Sequence, residues 1–197
     1  MRNGHTHQYI VGVDEAGRGP IAGPVTVAAV AFTQPFDESF FEGANDSKKL
    51  SPKKREALRV RIEEGAVQGF VRFGVYSTPS TMIDEEGIVP ALKYSLAQSL
   101  SALHLSPEEC NVKLDGSLKA PEMYCKQETI IRGDATELSI MLASIVAKTT
   151  RDREMELYGK QYPEYSFEVH KGYGTKKHYE ALKKHGLCAI HRSTFIT

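Results

Sequence analysis

Four carboxylates stand where short apolar runs stop. Asp14 and Glu15 close the run Tyr9–Val13, Asp115 closes Asn111–Leu114, and Asp134 follows Glu128–Ile131 after Arg132 and Gly133. Runs of this length and composition read as buried strands. Carboxylates at strand ends sit at the rim of a sheet, where ligands bind in open α/β folds. A shared sheet could thus bring together acids that are far apart in sequence. Acids gathered in one cleft repel and raise one another's pKa unless cations neutralise them. Hard oxygen ligands with open positions suit Mg²⁺ or Mn²⁺, and the absence of a His/Cys cluster argues against zinc. Two such ions roughly 3.5 to 4 Å apart could activate a water and stabilise the leaving oxygen in an in-line phosphodiester displacement.

Each acid also has a plainer reading. Asp14 and Glu15 could be solvated turn residues. Asp115 before Gly116 could be a turn aspartate, and Asp134 with Glu137 three residues on makes a capping box for the helix that follows. Spacing alone names no reaction.

Other residues could serve a phosphate-bearing ligand. After Glu15 come Gly17, Arg18, Gly19, Pro20, Gly23 and Pro24, punctuation too dense for a helix or strand interior. Glycines let a ligand backbone approach closely, and Arg18 supplies a fixed fork of donors among them. Tyr173 between Gly172 and Gly174 reads as held on an exposed loop, although it could equally cover the edge of the core. Ser144, Lys148 and Arg151 lie at i, i+4 and i+7 of one helix and share a face that could hold phosphates, or could simply face water. Lys48, Lys49 and Lys171 are similar candidates with less geometric support.

The elements that must position these groups follow in order. Val25–Phe32 is a second strand. Ser51 and Pro52 cap and start a helix that should end near Gly65, and Val67–Tyr76 alternates as a third strand. The connections are short enough for the first three strands to be antiparallel. Pro79–Leu105 is helical with a break near Gly87 and Pro90. Two short strands ending at Asp115 and near Asp134 come next, then a long apolar helix from Ala135 to about Tyr158, and a last helix capped by Thr175 and stopped by Gly186. The pattern is α/β with a five-stranded mixed sheet flanked by helices.

With 197 residues, 41% hydrophobic and 25% charged, a single domain with one sizeable core is expected. The longest apolar run, Val25–Phe32, is too short to span a bilayer, and Met1–Gln8 is polar, so a cytoplasmic protein without a membrane anchor is expected. Three cysteines without a paired spacing are expected to be reduced thiols. The seven histidines show no metal-ligand spacing and receive no catalytic role. Acids and bases balance at 25 each, yet the bases cluster in Asp46–Arg61 and in His170–Arg192. Either segment could bind nucleic acid or be a solvated helix face.

The string Asp14-Glu15-Ala16-Gly17-Arg18-Gly19-Pro20, followed by Ala22-Gly23-Pro24-Val25, resembles the signature of the type 2 ribonucleases H, the ribonuclease HII family. Further blocks resemble that family in family order: Asp46-Ser47-Lys48-Lys49-Leu50, Leu114-Asp115-Gly116-Ser117, Gly133-Asp134-Ala135, Ala143–Lys148 through Arg151-Asp152, and His170-Lys171-Gly172-Tyr173-Gly174-Thr175. The resemblance covers nearly the whole chain. It implies a ribonuclease H-like fold with a C-terminal helical extension over about 160–197 that binds substrate, and a two-metal Mg²⁺ or Mn²⁺ site on Asp14, Glu15, Asp115 and Asp134. It also implies that Gly17, Arg18, Gly19 and Tyr173 read the ribonucleotide at an RNA to DNA junction, the tyrosine stacking on the sugar and bonding its 2′-hydroxyl.

The activity so implied is hydrolysis of the phosphodiester 5′ of a ribonucleotide in RNA/DNA hybrids or embedded singly in duplex DNA, leaving 3′-hydroxyl and 5′-phosphate ends. The rivals are a type 3 enzyme needing runs of ribonucleotides, a hybrid-binding protein without turnover, and a metal-dependent phosphotransferase on small nucleotides. The Gly-Arg-Gly form and Tyr173 speak against the first, the four intact acids against the second, and the lack of a Walker-type loop against the third. No sliding-clamp-binding motif is evident in Ser193–Thr197, and a monomer without an obligate protein partner is expected.

Overall fold

The structure, a computed structural model, describes residues 9–33, 35–45, 47 and 49–196. Five strands, β1 (Tyr9–Ala16), β2 (Val25–Thr33), β3 (Val71–Thr78), β4 (Cys110–Asp115) and β5 (Gln127–Ile130), form one sheet in the order β3-β2-β1-β4-β5. β1 to β3 are antiparallel neighbours, whereas β4 lies parallel to β1 and β5 parallel to β4. This is the mixed sheet expected from three leading strands followed by helix and strand in alternation.

Helices cover both faces. α1 (Pro52–Val67), α2 (Ser80–Glu86), α3 (Ile88–Ser101), α4 (Leu138–Gln161), α5 (Phe167–His170) and α6 (Lys176–His185) complete the fold. Leu92, Leu96 and Leu100 of α3 pack with Val11, Val13, Val27 and Leu114 on one face. Leu142, Ile145 and Val146 of α4 pack with Ala28, Val30 and Ile62 on the other. β2 is therefore apolar on both sides and reads as an unbroken apolar run. α4 crosses β1 so closely that a Cβ at Gly12 would stand 2.0 Å from the backbone carbon of Ser139, and only glycine fits there.

Local signals hold where they act locally. Ser51 Oγ accepts the Lys54 N–H at 3.3 Å, with Pro52 in the first turn of α1. Thr175 Oγ1 caps α6 through His178 N–H, Gly186 stops it, and Gly87 at φ 92° separates α2 from α3.

Three boundaries differ from expectation. α1 continues past Gly65 to Val67, because Gly65 is a contact point for Phe70 and Val71 rather than a terminator. β3 consequently starts at Val71, after a turn at Gly69. α4 starts at Leu138 with Glu137 as its N-cap, while Gly133–Ala135 forms a separate 3₁₀ turn. Glu137, not Asp134, is thus the N-cap residue of α4, and its carboxylate pairs with Lys113 on β4.

The chain after α4 makes a small core of its own. Tyr165, Phe167 and Ile190 pack with Met155 of α4 and Ala22 of the glycine-rich loop. Backbone bonds from Ile21 N–H to Gly172 O (3.0 Å), Gly23 N–H to Ile190 O (2.8 Å) and Arg192 N–H to Ile21 O (2.8 Å) lace the C-terminal segment to that loop. Among the described residues no helix is long and apolar enough to cross a membrane.

Candidate active site

Parallel pairing of β1 with β4 decides where the acids go. Val13 is in register with Leu114, so Asp14 and Asp115 leave adjacent strands at the same edge. Asp115 Oδ1 accepts the Gly133 N–H at 2.7 Å, which draws the turn carrying Asp134 to that edge. Asp14 and Asp134 are both nearly buried. Alternation along β1 sets Asp14 on the α4 side with Gly12, while Glu15 points the other way and lies 3.7 Å from Arg18.

Burial pushes the Asp14 carboxyl up to about 7, against the pull of the Ser144 hydroxyl, with the Glu15 and Asp115 charges adding to the rise and the Glu15 N–H opposing it. Ser144 Oγ is itself 2.8 Å from Ser47 Oγ. An acid so raised is only partly ionised near neutral pH, and a compensating cation would favour its charged form.

Asp14, Glu15, Gly17, Arg18, Gly19, Ser144, Lys148, Arg151 and Tyr173 line one cleft of about 230 Å³. Tyr173 is half exposed there. Gly17 and Gly19 differ in what they answer to. A Cβ on Gly17, at φ 90°, would stand 2.0 Å from Arg151 Nε, whereas one on Gly19 would meet no protein atom within 4 Å. The first glycine is demanded by the fold, and nothing in the fold demands the second.

The basic residues are placed otherwise than their helical spacing suggests. Arg151 is fully buried, and its guanidinium donates to the carbonyls of Pro24 (2.9 Å), Lys171 (2.9 Å) and Ala22 (3.2 Å). It fastens the loop from behind, so its helical stripe with Ser144 and Lys148 does not face water, although it still lines the cleft. Lys148 lines the cleft with its amine 2.7 Å from Asp152, and Lys171 donates to Glu156 at 2.8 Å. Lys48 lies outside the described residues, and Lys49 is exposed.

Two groups that the sequence did not single out complete the arrangement. Arg192, also fully buried, donates to the carbonyls of Gly17 (2.7 Å), Pro20 (2.8 Å), Gly23 (2.9 Å) and Arg18 (3.1 Å). Burial, and then the nearby Arg151 charge, lowers its pKa to about 9, so it remains a cation at neutral pH. Counted in sequence as one of a basic cluster, it carries no local mark of this role.

The other group is a run of histidines beneath Tyr173. The Tyr173 carbonyl can only accept, so His178 Nδ1, 2.9 Å away, carries the proton. His178 Nε2 then accepts from His191 Nε2 at 3.0 Å, and His191 Nδ1 accepts the Cys188 N–H at 2.9 Å. His170 stacks on His178 with centroids 4.3 Å apart. All donors and acceptors are matched with both linked imidazoles neutral, and burial lowers the pKa of each, that of His178 to about 4.

A five-stranded mixed sheet with acids gathered on the shared end of β1 and β4 belongs to the ribonuclease H-like class of folds. The family model for ribonuclease HII matches residues 11–197. Ribonuclease HII of Endomicrobium trichonymphae is 48% identical over 94% of this chain and 84% of its own length. That of Caldicellulosiruptor bescii is 43% identical over 96% and 87%. In the solved PCNA:RNase HII complex from Archaeoglobus fulgidus, the matched chain superposes with a TM-score of 0.75 at 25% identity, over 95% of both chains. Bst-RNase HIII in complex with Mn²⁺ shares the fold at a TM-score of 0.69 and 17% identity, over 91% of this chain and 63% of that one. The chain belongs to the ribonuclease HII family and is a ribonuclease H, a hydrolase with endonuclease activity.

Proposed function

We propose that the protein cuts the phosphodiester on the 5′ side of a ribonucleotide, whether within an RNA/DNA hybrid or embedded singly in duplex DNA, leaving 3′-hydroxyl and 5′-phosphate ends. The observation that carries this is the placement of Asp14 and Asp115 on neighbouring parallel strand ends in the same region as Gly17, Arg18, Gly19 and Tyr173. Asp14, Glu15, Asp115 and Asp134 would hold Mg²⁺ or Mn²⁺. The donor set fits: all four are oxygen donors, and the Glu15 and Asp115 charges add to the rise that burial gives the Asp14 carboxyl, a repulsion that a cation would relieve. Among the described residues no three His, Cys, Asp or Glu side chains are grouped closely enough to hold a metal ion as they stand. When bound, two such ions would supply an activated water and a counter-charge for the leaving oxygen.

The chain's own residues do the rest. Gly19 leaves open space for a sugar-phosphate backbone to approach, and the loop's backbone groups are candidates to bond the 2′-hydroxyl, the atom that separates RNA from DNA. Tyr173 offers an exposed ring to stack on that sugar. Arg18, with its side chain 48% exposed, supplies a cation at the phosphates. Arg151 and Arg192 act behind the loop as positioning residues, and their buried charges favour an anion on its outer side. Residues 160–197 serve as a substrate-binding extension of a single catalytic domain, in a monomer with no obligate protein partner and a cytoplasmic site of action.

The test is cleavage of three end-labelled duplexes, carrying one ribonucleotide, a full RNA/DNA hybrid or DNA alone, with Mg²⁺, with Mn²⁺ and with chelator, and with Asp14→Asn as control. Metal-dependent cutting 5′ of the single ribonucleotide, absent in the variant, is the expected result. Cutting of the hybrid alone would remove the junction-reading role of Arg18 and Tyr173.

A further inference from the structure

A second cleft lies on the other side of Arg18. It holds about 180 Å³ between α3 and the connection that follows β4. Its floor is apolar, from Leu92, Leu96 and Leu118, and its rim carries Arg18, Lys93 and Lys119 with no carboxylate among the lining residues. Beyond the two lysines it runs on toward Ala120 and Pro121, where Glu122 is the first acid. Lys93 and Lys119 are exposed and enter no salt bridge or hydrogen bond among the described residues, whereas Lys113, Lys148 and Lys171 are each tied to an acid. Two unpaired lysines and Arg18 around an apolar floor match a nucleotide unit, with phosphates at the rim and sugar and base edges below.

Position gives the cleft its meaning. Ser117 and Leu118, which line it, follow two and three residues after Asp115 at the end of β4, and Arg18 lines both clefts. Asp14 and Glu15 line the first cleft, and the second adjoins the end of β4 that carries Asp115. We infer that this second cleft is a nucleic-acid subsite for the cleaved strand on the 5′ side of the cut. The inference rests on the function proposed above: with the ribonucleotide at Gly19 and Tyr173 and the scissile phosphate at the carboxylates, the strand leaves the first cleft past Arg18 on its upstream side. Lys93 and Lys119 hold upstream phosphates and take no part in the chemical step.

The experiment compares wild type with Lys93→Ala/Lys119→Ala, both exposed positions whose replacement leaves the core untouched. Substrates are a single-ribonucleotide duplex with long flanks, one trimmed on the 5′ side to the nucleotide next to the cut, and one trimmed equally on the 3′ side. The variant should raise KM about fivefold or more on the long and 3′-trimmed duplexes with kcat unchanged, and lower the slope of log(kcat/KM) against log salt by about 1.8 for two lost phosphate contacts. It should match wild type on the 5′-trimmed duplex. An equal defect on both trimmed duplexes, a defect that vanishes only on the 3′-trimmed one, or an unchanged KM overturns the assignment. Should wild type cut none of them, the ribonuclease reading fails separately. Fluorescence anisotropy of an uncut labelled hybrid then decides the subsite by itself: weaker binding by the variant supports it, and an unchanged Kd, or tighter capture of an acidic peptide than of the hybrid, overturns it.

Discussion

Arg192 Nη2 lies 2.7 Å from the carbonyl oxygen of Gly17 and joins residues 175 positions apart. The same guanidinium takes three further carbonyls of that loop, and Arg151 takes two carbonyls from it as well as that of Lys171. Glycine loops lose much entropy on ordering, and these two cations fix this one in a single shape. Arg192→Lys keeps the charge but loses the fork. It should cost about 3 kcal/mol in urea unfolding, because buried carbonyls lose their donors, and should raise KM more than Lys93→Ala/Lys119→Ala does on the same duplex. Wild-type stability in the lysine variant would show that the fork is dispensable.

Gly17 and Gly19 should separate fold from function. Gly17→Ala forces a Cβ against Arg151 at a positive φ and should destabilise by about 2–4 kcal/mol. Gly19→Ala meets only open space and should leave the thermal midpoint within a degree or two while cutting kcat/KM at least tenfold, roughly 1.4 kcal/mol. A fully active Gly19→Ala would mean that no substrate atom approaches there.

Asp14 sets a pH dependence that metal should reverse. Its folded pKa of about 7 lies above the ordinary carboxylate value of 3.8, so between those limits the native state binds more protons than the unfolded chain. Stability then falls as pH rises through this window. In chelator Asp14→Asn should be more stable than wild type at pH 8, by about 2–4 kcal/mol, with the advantage gone near pH 4. Mg²⁺ at a hundredfold its Kd should return about 2.7 kcal/mol to wild type and much less to the variant. Calorimetric midpoints with and without the ion would show it, and equal midpoints for the two proteins in chelator at pH 8 would refute it.

The histidines under Tyr173 give a slope of the opposite sign. Folded His178 titrates near 4 against 6.5 ordinarily, and burial lowers His191 too. Their contribution is complete above the unfolded pKa and is lost as pH falls from 6.5 toward 4. Denaturant midpoints should therefore drop on moving from pH 7 to pH 5, more steeply in wild type than in His191→Gln. Parallel pH profiles would show that the imidazoles do not titrate on unfolding in that range.

Features with local causes can be read along the chain. Apolar runs ending on acids, the Ser51 and Thr175 caps, the Gly87 break and the Gly186 stop depend on a few adjacent residues, and so the strand set, the α/β class and the acids at strand ends were all legible. What each charge faces depends on long-range packing. Ser144, Lys148 and Arg151 share a helical stripe, yet one touches Ser47, one pairs with Asp152 and one is buried among carbonyls from residues 22, 24 and 171. Asp134 left the helix cap because its turn is held by Asp115 across the sheet edge. Arg192 and the histidines, unmarked in the chain, became the loop's fastening and the support beneath Tyr173. Periodicity and capping act over a turn or two of chain, whereas the partner of a buried cation or imidazole is whichever distant segment the packed sheet and helices bring within hydrogen-bond reach.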